Sequence, residues 1–151
     1  MICAAGALLL NVVLEHALMN ITRDITLIPG LADFHRAWNH GVSFSLLTQN
    51  SDSGRWLLMG FLLVIIAFVS VLSWKAPTRL SAAGYGLILG GALGNLIDRA
   101  LYGAVFDFLY LHLGATPLFV CNFADIAISA GVVLLLLESF LPNKGAAKIG
   151  A

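Results

Sequence analysis

Four apolar stretches, each close to the length that crosses a lipid bilayer, divide this chain and limit what it can fold into. A spanning α-helix needs about 20 mostly apolar residues. The stretches cover residues 2–19, 56–74, 81–101 and 122–141. The first is short and carries Asn11, Glu15 and His16 toward its end. The second is bounded by Trp56 and Trp74, a residue type that anchors helices at both membrane interfaces. The third carries Asn95, Asp98 and Arg99 near its end, and the fourth has Asn122 and Asp125 near its start. Only 11% of the residues are charged and 60% are hydrophobic, whereas a soluble domain carries roughly 25% charged residues. The expected fold class is therefore membrane all-α, a single integral membrane domain over residues 1–151 with four transmembrane helices. The first stretch lacks a basic n-region and a clean small-residue cleavage site, and apolar character returns three times downstream. It reads as a retained helix, not a secretory signal.

The connections set an orientation. Lys75-Ala76-Pro77-Thr78-Arg79 is a tight basic turn, and the tail over residues 142–151 holds Lys144 and Lys148 without an acid. The positive-inside rule puts both in the cytoplasm, and an even number of spans puts the N-terminus there too. Residues 20–55 and 102–121 then form outer loops. Within the first, residues 25–30 and 42–47 have strand-like composition and residues 50–54 read as a turn. A small β-sheet built from the first outer loop is expected on the outer membrane surface.

On this topology Glu15, Asn95, Asp98, Arg99, Asp107, Asn122 and Asp125 all fall at or just beyond the outer helix ends. An ionisable group in a membrane costs roughly 2.5–3.5 kcal/mol on insertion scales, so several at one depth mark a functional site. Gly86, Gly90 and Gly94 form a bare stripe on the third helix, which suits close helix packing and leads into Asn95 and Arg99 on one face. Asn122 and Asp125 share a face at the start of the fourth helix, where the dipole favours a carboxylate.

Asp107 sits in the apolar run Val105-Phe106-Asp107-Phe108-Leu109. If it meets Asp125, the two cannot both ionise cheaply. They would share a proton, activate water and protonate a leaving group. Such a pair can hydrolyse a peptide bond without a metal or a covalent intermediate. No Gly-x-Ser-x-Gly or His-Glu-x-x-His motif competes for the role. Cys3 and Cys121 read as packing residues, and the scattered histidines give no metal-ligand spacing. The zero net charge gives no field that would draw nucleic acid. On chemistry alone a peptidase, a proton or ion transporter and a structural protein all remain open, although four spans without an internal repeat fit a transporter poorly.

The motifs together resemble the lipoprotein signal peptidase (signal peptidase II) family. Gly90-Gly91-Ala92-Leu93-Gly94-Asn95-Leu96-Ile97-Asp98-Arg99 is similar to its signature. Val105-Phe106-Asp107-Phe108 and Asn122-Phe123-Ala124-Asp125 follow in the family's order and spacing. Residues 38–45, from Trp38-Asn39-His40-Gly41 onward, resemble its outer-loop motif. The resemblance implies a cofactor-free aspartic endopeptidase of the bacterial inner membrane. It would act on prolipoproteins from the outer side, among membrane lipids, cutting just before the diacylglyceryl-modified cysteine, and globomycin would inhibit it. Carried over by residue, Asp107 and Asp125 would be the catalytic dyad. Asn39, Asn95, Arg99, Asn122 and Glu15 would contact substrate, with Asp98 in support. The departure lies in the first helix. The family's Asp-Gln-x-x-Lys is replaced here by Glu15-His16-Ala17-Leu18-Met19, which leaves room for a non-catalytic paralogue that only binds lipidated peptides.

Overall fold

The structure, a computed structural model, describes residues 2–41 and 52–141. The strand expected over residues 42–47 and the basic tail lie outside the described residues. Helix α1 (Ile2–Leu18) leads into β1 (Ile25–Ile28) and β2 (Ala32–Asn39). Helices α2 (Asp52–Trp74) and α3 (Arg79–Tyr102) follow, then β3 (Val105–Leu113), β4 (Thr116–Cys121) and α4 (Phe123–Phe140).

Helix α3 is the hub and packs against α1, α2 and α4. Its glycines make this possible. A Cβ at Gly90 would lie 2.6 Å from the Ala4 carbonyl oxygen and 2.7 Å from the Ala7 Cβ, and one at Gly91 would lie 2.4 Å from the Ala124 carbonyl oxygen. Gly131 of α4 plays the same part from the other side, since a Cβ there would lie 2.5 Å from the Gly84 carbonyl oxygen. Backbones this close gain dispersion contacts that lipid tails cannot match. The order of contacts also fixes direction. Gly86, Gly90 and Gly94 meet Cys3, Ala4 with Ala7, and Asn11 in turn, so α1 runs parallel to α3. Gly84 and Gly91 meet Leu135 and Ala124, so α4 runs antiparallel. The C-terminal ends of α1 and α3 and the N-terminal end of α4 therefore share one side of the bundle.

Helices 54–74, 79–102 and 123–140 are long and apolar enough to cross a bilayer, and α1 is a shorter apolar helix of 17 residues. Helix α2 leaves Leu57, Phe61, Val64 and Phe68 mostly exposed. That is untenable in water over so wide a face, but it suits a helix whose solvent is lipid. The chain is a multi-pass membrane protein. At the end away from the sheet, Thr78 caps α3, and its hydroxyl donates to Glu138 of α4. Ser81 Oγ also donates to Glu138, at 2.9 Å.

The sheet is larger than expected and comes from both of the loops that join helices at this end of the bundle. Among the described residues four strands pair antiparallel in the order β1-β2-β3-β4. The first loop supplies β1, at the place expected, and β2. The second supplies the β3–β4 hairpin, whose turn places Gly114 at φ +58, a conformation that favours glycine. A second correction concerns residues 52–54, expected in a turn. They form the first turn of α2, which starts at Asp52.

Candidate active site

Asp107 is placed by a sharp exit from α3. Gly103 ends the helix at φ 79, its N–H donating to the Arg99 carbonyl, and β3 begins two residues later. The side chain of Asp98 accepts the Phe106 N–H at 3.2 Å, which pins the strand one residue before Asp107. Across the sheet, Phe34 pairs with Leu109 but Ala37 with Asp107, so β2 carries one extra residue there. This is a β-bulge, a device that re-aims side chains beside functional sites. Asn39 lies two residues beyond Ala37, on the same face of the sheet as Asp107. Its Nδ2 donates to Asp107 Oδ2 at 3.1 Å.

Asp125 is placed by the start of α4. Asn122 is the N-cap, its Oδ1 accepting the Asp125 N–H at 2.9 Å, and Asp125 closes the capping box by accepting the Asn122 N–H. The free N–H groups and dipole of the helix start favour negative charge at this position. Asn95, on α3, donates from Nδ2 to Asp125 Oδ1 at 3.0 Å. The fully buried Asn122 then joins the two acids, with Nδ2 donating to Asp107 Oδ1 at 3.1 Å and to Asn95 Oδ1 at 3.0 Å. Each carboxyl oxygen of both aspartates thus accepts one hydrogen bond, and lone pairs remain for water.

Arg99 bounds the cluster. It donates from Nη1 to the Asn95 carbonyl at 3.1 Å and from Nη2 to the Gly41 carbonyl at 2.6 Å. Gly41 in turn donates its N–H to Asn39 Oδ1 at 3.0 Å. The guanidinium therefore holds the turn that aims Asn39 and lies close enough to Asp125, Asp107 and Asp98 to interact with each.

Asp107 is 2% exposed, and its surroundings favour the protonated form. Burial pushes its carboxyl up to about 7, the Asn39 hydrogen bond pulls the other way, and the neighbouring charge of Asp125 adds to the rise. Burial likewise pushes the Cys121 thiol, on the adjoining strand end, up to about 11, so it stays protonated at neutral pH.

Two cavities meet at this point. A cleft of about 390 Å³ on the sheet side is lined by Trp38, Asn39, Gly41, Asp107, Tyr110 and β4 residues 117–120. A predominantly apolar groove of about 660 Å³ lies between α2 and α4. Leu58, Phe61 and Ile65 line it on one side, Ile126, Ile128 and Val133 on the other, and Asn95, Arg99 and Asp125 stand at its polar end. Phe119 and Val120 border both cavities.

Of the residues singled out in the sequence, Asp107, Asp125, Asn39, Asn95 and Asn122 form one hydrogen-bonded network, and Arg99 joins it through Asn95 and Gly41. Glu15 lies apart. It is 3% exposed, accepts from Asn11 Nδ2 at 2.7 Å and lines neither cavity. Sequence reasoning passed over the β3–β4 hairpin, and with it Tyr110, Phe119 and Val120. The signal was present as period-two alternation. Phe106, Phe108, Tyr110 and His112 alternate with Asp107, Leu109 and Leu111, and the rings contact in two pairs, Phe106 with Phe108 and Tyr110 with His112.

Comparison with known proteins finds relatives over most of the chain. Residues 4–141 match the family described as Signal peptidase (SPase) II. The lipoprotein signal peptidase of Methylorubrum extorquens (strain PA1) is 53% identical over 122 residues, which are 81% of this chain and 71% of that protein. The lipoprotein signal peptidase of Caulobacter vibrioides is 52% identical over 120 residues, covering 78% and 70%. A bacterial membrane enzyme solved at 2.3 Å superposes with a TM-score of 0.75 at 20% identity, over 99% of this chain and 92% of the other. A second, solved at 1.9 Å, gives 0.72 at 20% identity, over 94% and 92%. These last two speak for the fold.

Proposed function

The chain belongs to the signal peptidase II family, and on that premise we propose that it is a membrane aspartic endopeptidase that removes signal peptides from prolipoproteins, with Asp107 and Asp125 as its catalytic dyad. The observation that carries this reading is the Asn122 bridge, which holds two carboxyl groups from separate elements in one hydrogen-bonded unit where an apolar groove meets the cleft beside the sheet.

The dyad holds one shared proton, and Asp107 is the member whose buried setting favours keeping it. A water between the carboxyls loses a proton to the ionised member as its oxygen attacks the scissile carbonyl carbon. The protonated member donates to the carbonyl oxygen. The tetrahedral intermediate collapses when one carboxyl delivers a proton to the departing amide nitrogen while the other takes a proton from a hydroxyl of the intermediate, which breaks the C–N bond, re-forms the carbonyl and restores the shared-proton state. Asn39, Asn95 and Asn122 hold the acids in place. The free hydrogen-bonding capacity of Asn95 and Arg99 at the mouth of the groove suits the extended backbone of a substrate.

The groove explains a lipid-modified substrate. A cysteine carrying diacylglycerol has its acyl chains in the bilayer already, and withdrawing them costs roughly 0.8 kcal/mol per CH₂. A groove open between α2 and α4 to the hydrocarbon avoids that cost and brings the bond just before the cysteine to the depth of the dyad. The basic turn with Lys75 and Arg79 lies at the opposite end of the bundle from the dyad, which favours a site on the outer face of the inner membrane. Globomycin is expected to compete for this groove and dyad.

The test is purified protein in detergent incubated with a diacylglyceryl-modified precursor, followed by gel shift, with the unmodified precursor and globomycin as parallel arms. Cleavage of the modified precursor alone, suppressed by globomycin, is expected. Binding of the lipopeptide without any product would instead mark a non-catalytic paralogue.

A further inference from the structure

Behind the dyad lies a second pair of acids that the mechanism does not use. Glu15 of α1 and Asp98 of α3 are each 3% exposed, and their carboxyl groups are within hydrogen-bond reach of each other. We infer that Glu15 is a positioning residue for the dyad, acting through Asp98 on the strand that carries Asp107. This inference rests on the dyad reading above.

The contacts form one line. Asn11, one turn before Glu15 and fully buried, donates to its Oε1 at 2.7 Å. Asn11 is itself pressed against Gly94, where a Cβ would lie 2.8 Å from Nδ2. Glu15 therefore has one place to be, facing Asp98. Asp98 Oδ2 accepts the N–H of Phe106, which is fully buried. Asp107 is the next residue. Successive strand residues point to opposite faces, so any slide or roll of β3 at Phe106 swings Asp107 away from Asn39 and Asn122. Neither acid lines the cleft or the groove, so neither is placed to touch substrate. A hydrogen bond between two carboxyl groups contains one proton. Gln at position 15 would preserve that bond by supplying an N–H, and would still accept from Asn11.

The consequence is a kinetic signature. A residue that aims the catalytic acid changes kcat, and one that holds substrate changes KM. The experiment measures both for wild type, Asp107→Asn, Glu15→Ala, Glu15→Gln, Asp98→Ala and the Glu15→Ala/Asp98→Ala double variant on a diacylated precursor. Wild-type cleavage and its loss in Asp107→Asn report on the dyad reading separately. Glu15→Ala is expected to lower kcat by roughly 10- to 100-fold, the scale of a small misplacement, with KM little changed. Glu15→Gln is expected to recover most of the loss. The double variant is expected to be no worse than Asp98→Ala, as for residues that act as a unit. If Glu15→Ala does not fold, Glu15→Met replaces it, since that side chain fills the same space without a hydrogen-bonding group for Asp98, and the same fall in kcat is expected. A raised KM with kcat retained in Glu15→Ala or Glu15→Gln would overturn the inference. So would unchanged kinetics in Glu15→Ala, or single losses that multiply in the double variant.

Discussion

The side-chain amide of Asn122 donates to Asp107 at 3.1 Å although the two lie fifteen residues apart, on different elements. The same residue caps the helix that presents Asp125, so a single asparagine sets the geometry of both acids. Its three hydrogen bonds to Asp107, Asn95 and the Asp125 N–H tie the end of α4 to α3 and to the sheet.

Separating those roles is possible. Asn122→Ala removes the cap and the bridge and is expected to cost about 1–2 kcal/mol of stability together with most of the activity. Asn122→Ser keeps an acceptor for the Asp125 N–H but cannot donate to both Asn95 and Asp107. It is expected to melt near wild type while its kcat falls by about tenfold or more. Thermal denaturation in detergent and precursor cleavage, measured on the same samples, check both.

The pH dependence should follow Asp107. Its carboxyl is pushed from 3.8 up to about 7 by burial, so cleavage by a dyad that needs one proton is expected to fall as the pH rises through about 7. Asn39 favours the ionised form, so removing it in Asn39→Ala moves the alkaline limb of kcat to higher pH. The stability link has the matching sign. The folded state holds this proton more tightly than the unfolded chain does. The contribution is complete below 3.8 and is lost as the pH rises to about 7. Cleavage and melting profiles taken across this range test the two statements.

The glycines of α3 make a graded prediction. Gly91→Ala drives a methyl group into the Ala124 carbonyl, next to Asp125, and is expected to cost about 1–3 kcal/mol and to reduce cleavage as well. Gly90→Ala strikes Ala4 and Ala7 of α1 instead and is expected to cost a similar amount. A methyl group at Gly60, on α2, would meet nothing within 4 Å, so Gly60→Ala is expected to stay within about 0.5 kcal/mol of wild type. Melting temperatures of the three variants provide the comparison.

The helices were legible in the sequence because spanning a bilayer imposes a length and an apolar composition that few other folds share. The glycine stripe announced close packing, although only the structure shows that Gly86, Gly90 and Gly94 face α1 while Gly84 and Gly91 face α4. The meeting of Asp107 with Asn39 was less legible. It depends on pairing between β2 and β3, strands separated by two helices, and on a bulge that no local composition signals. The β3–β4 hairpin was missed because its strands are largely apolar on both faces, so the loop over residues 102–121 showed no clear apolar–polar alternation. Its alternation is of aromatic against aliphatic residues, not of apolar against polar ones. Glu15 could be matched to a motif by position, but its burial against Asn11 and Asp98 depends on the parallel packing of α1 on α3.

The most direct test of the dyad is single-turnover cleavage of a diacylated precursor by Asp107→Asn and Asp125→Asn, each shown to be folded by its melting transition. Each variant keeps the shape of the side chain and removes its ability to carry and release a proton. The expected result is a loss of at least about 10³-fold in rate for both, with precursor binding retained. Wild-type rates in either variant would contradict the assignment of these two aspartates as the catalytic pair.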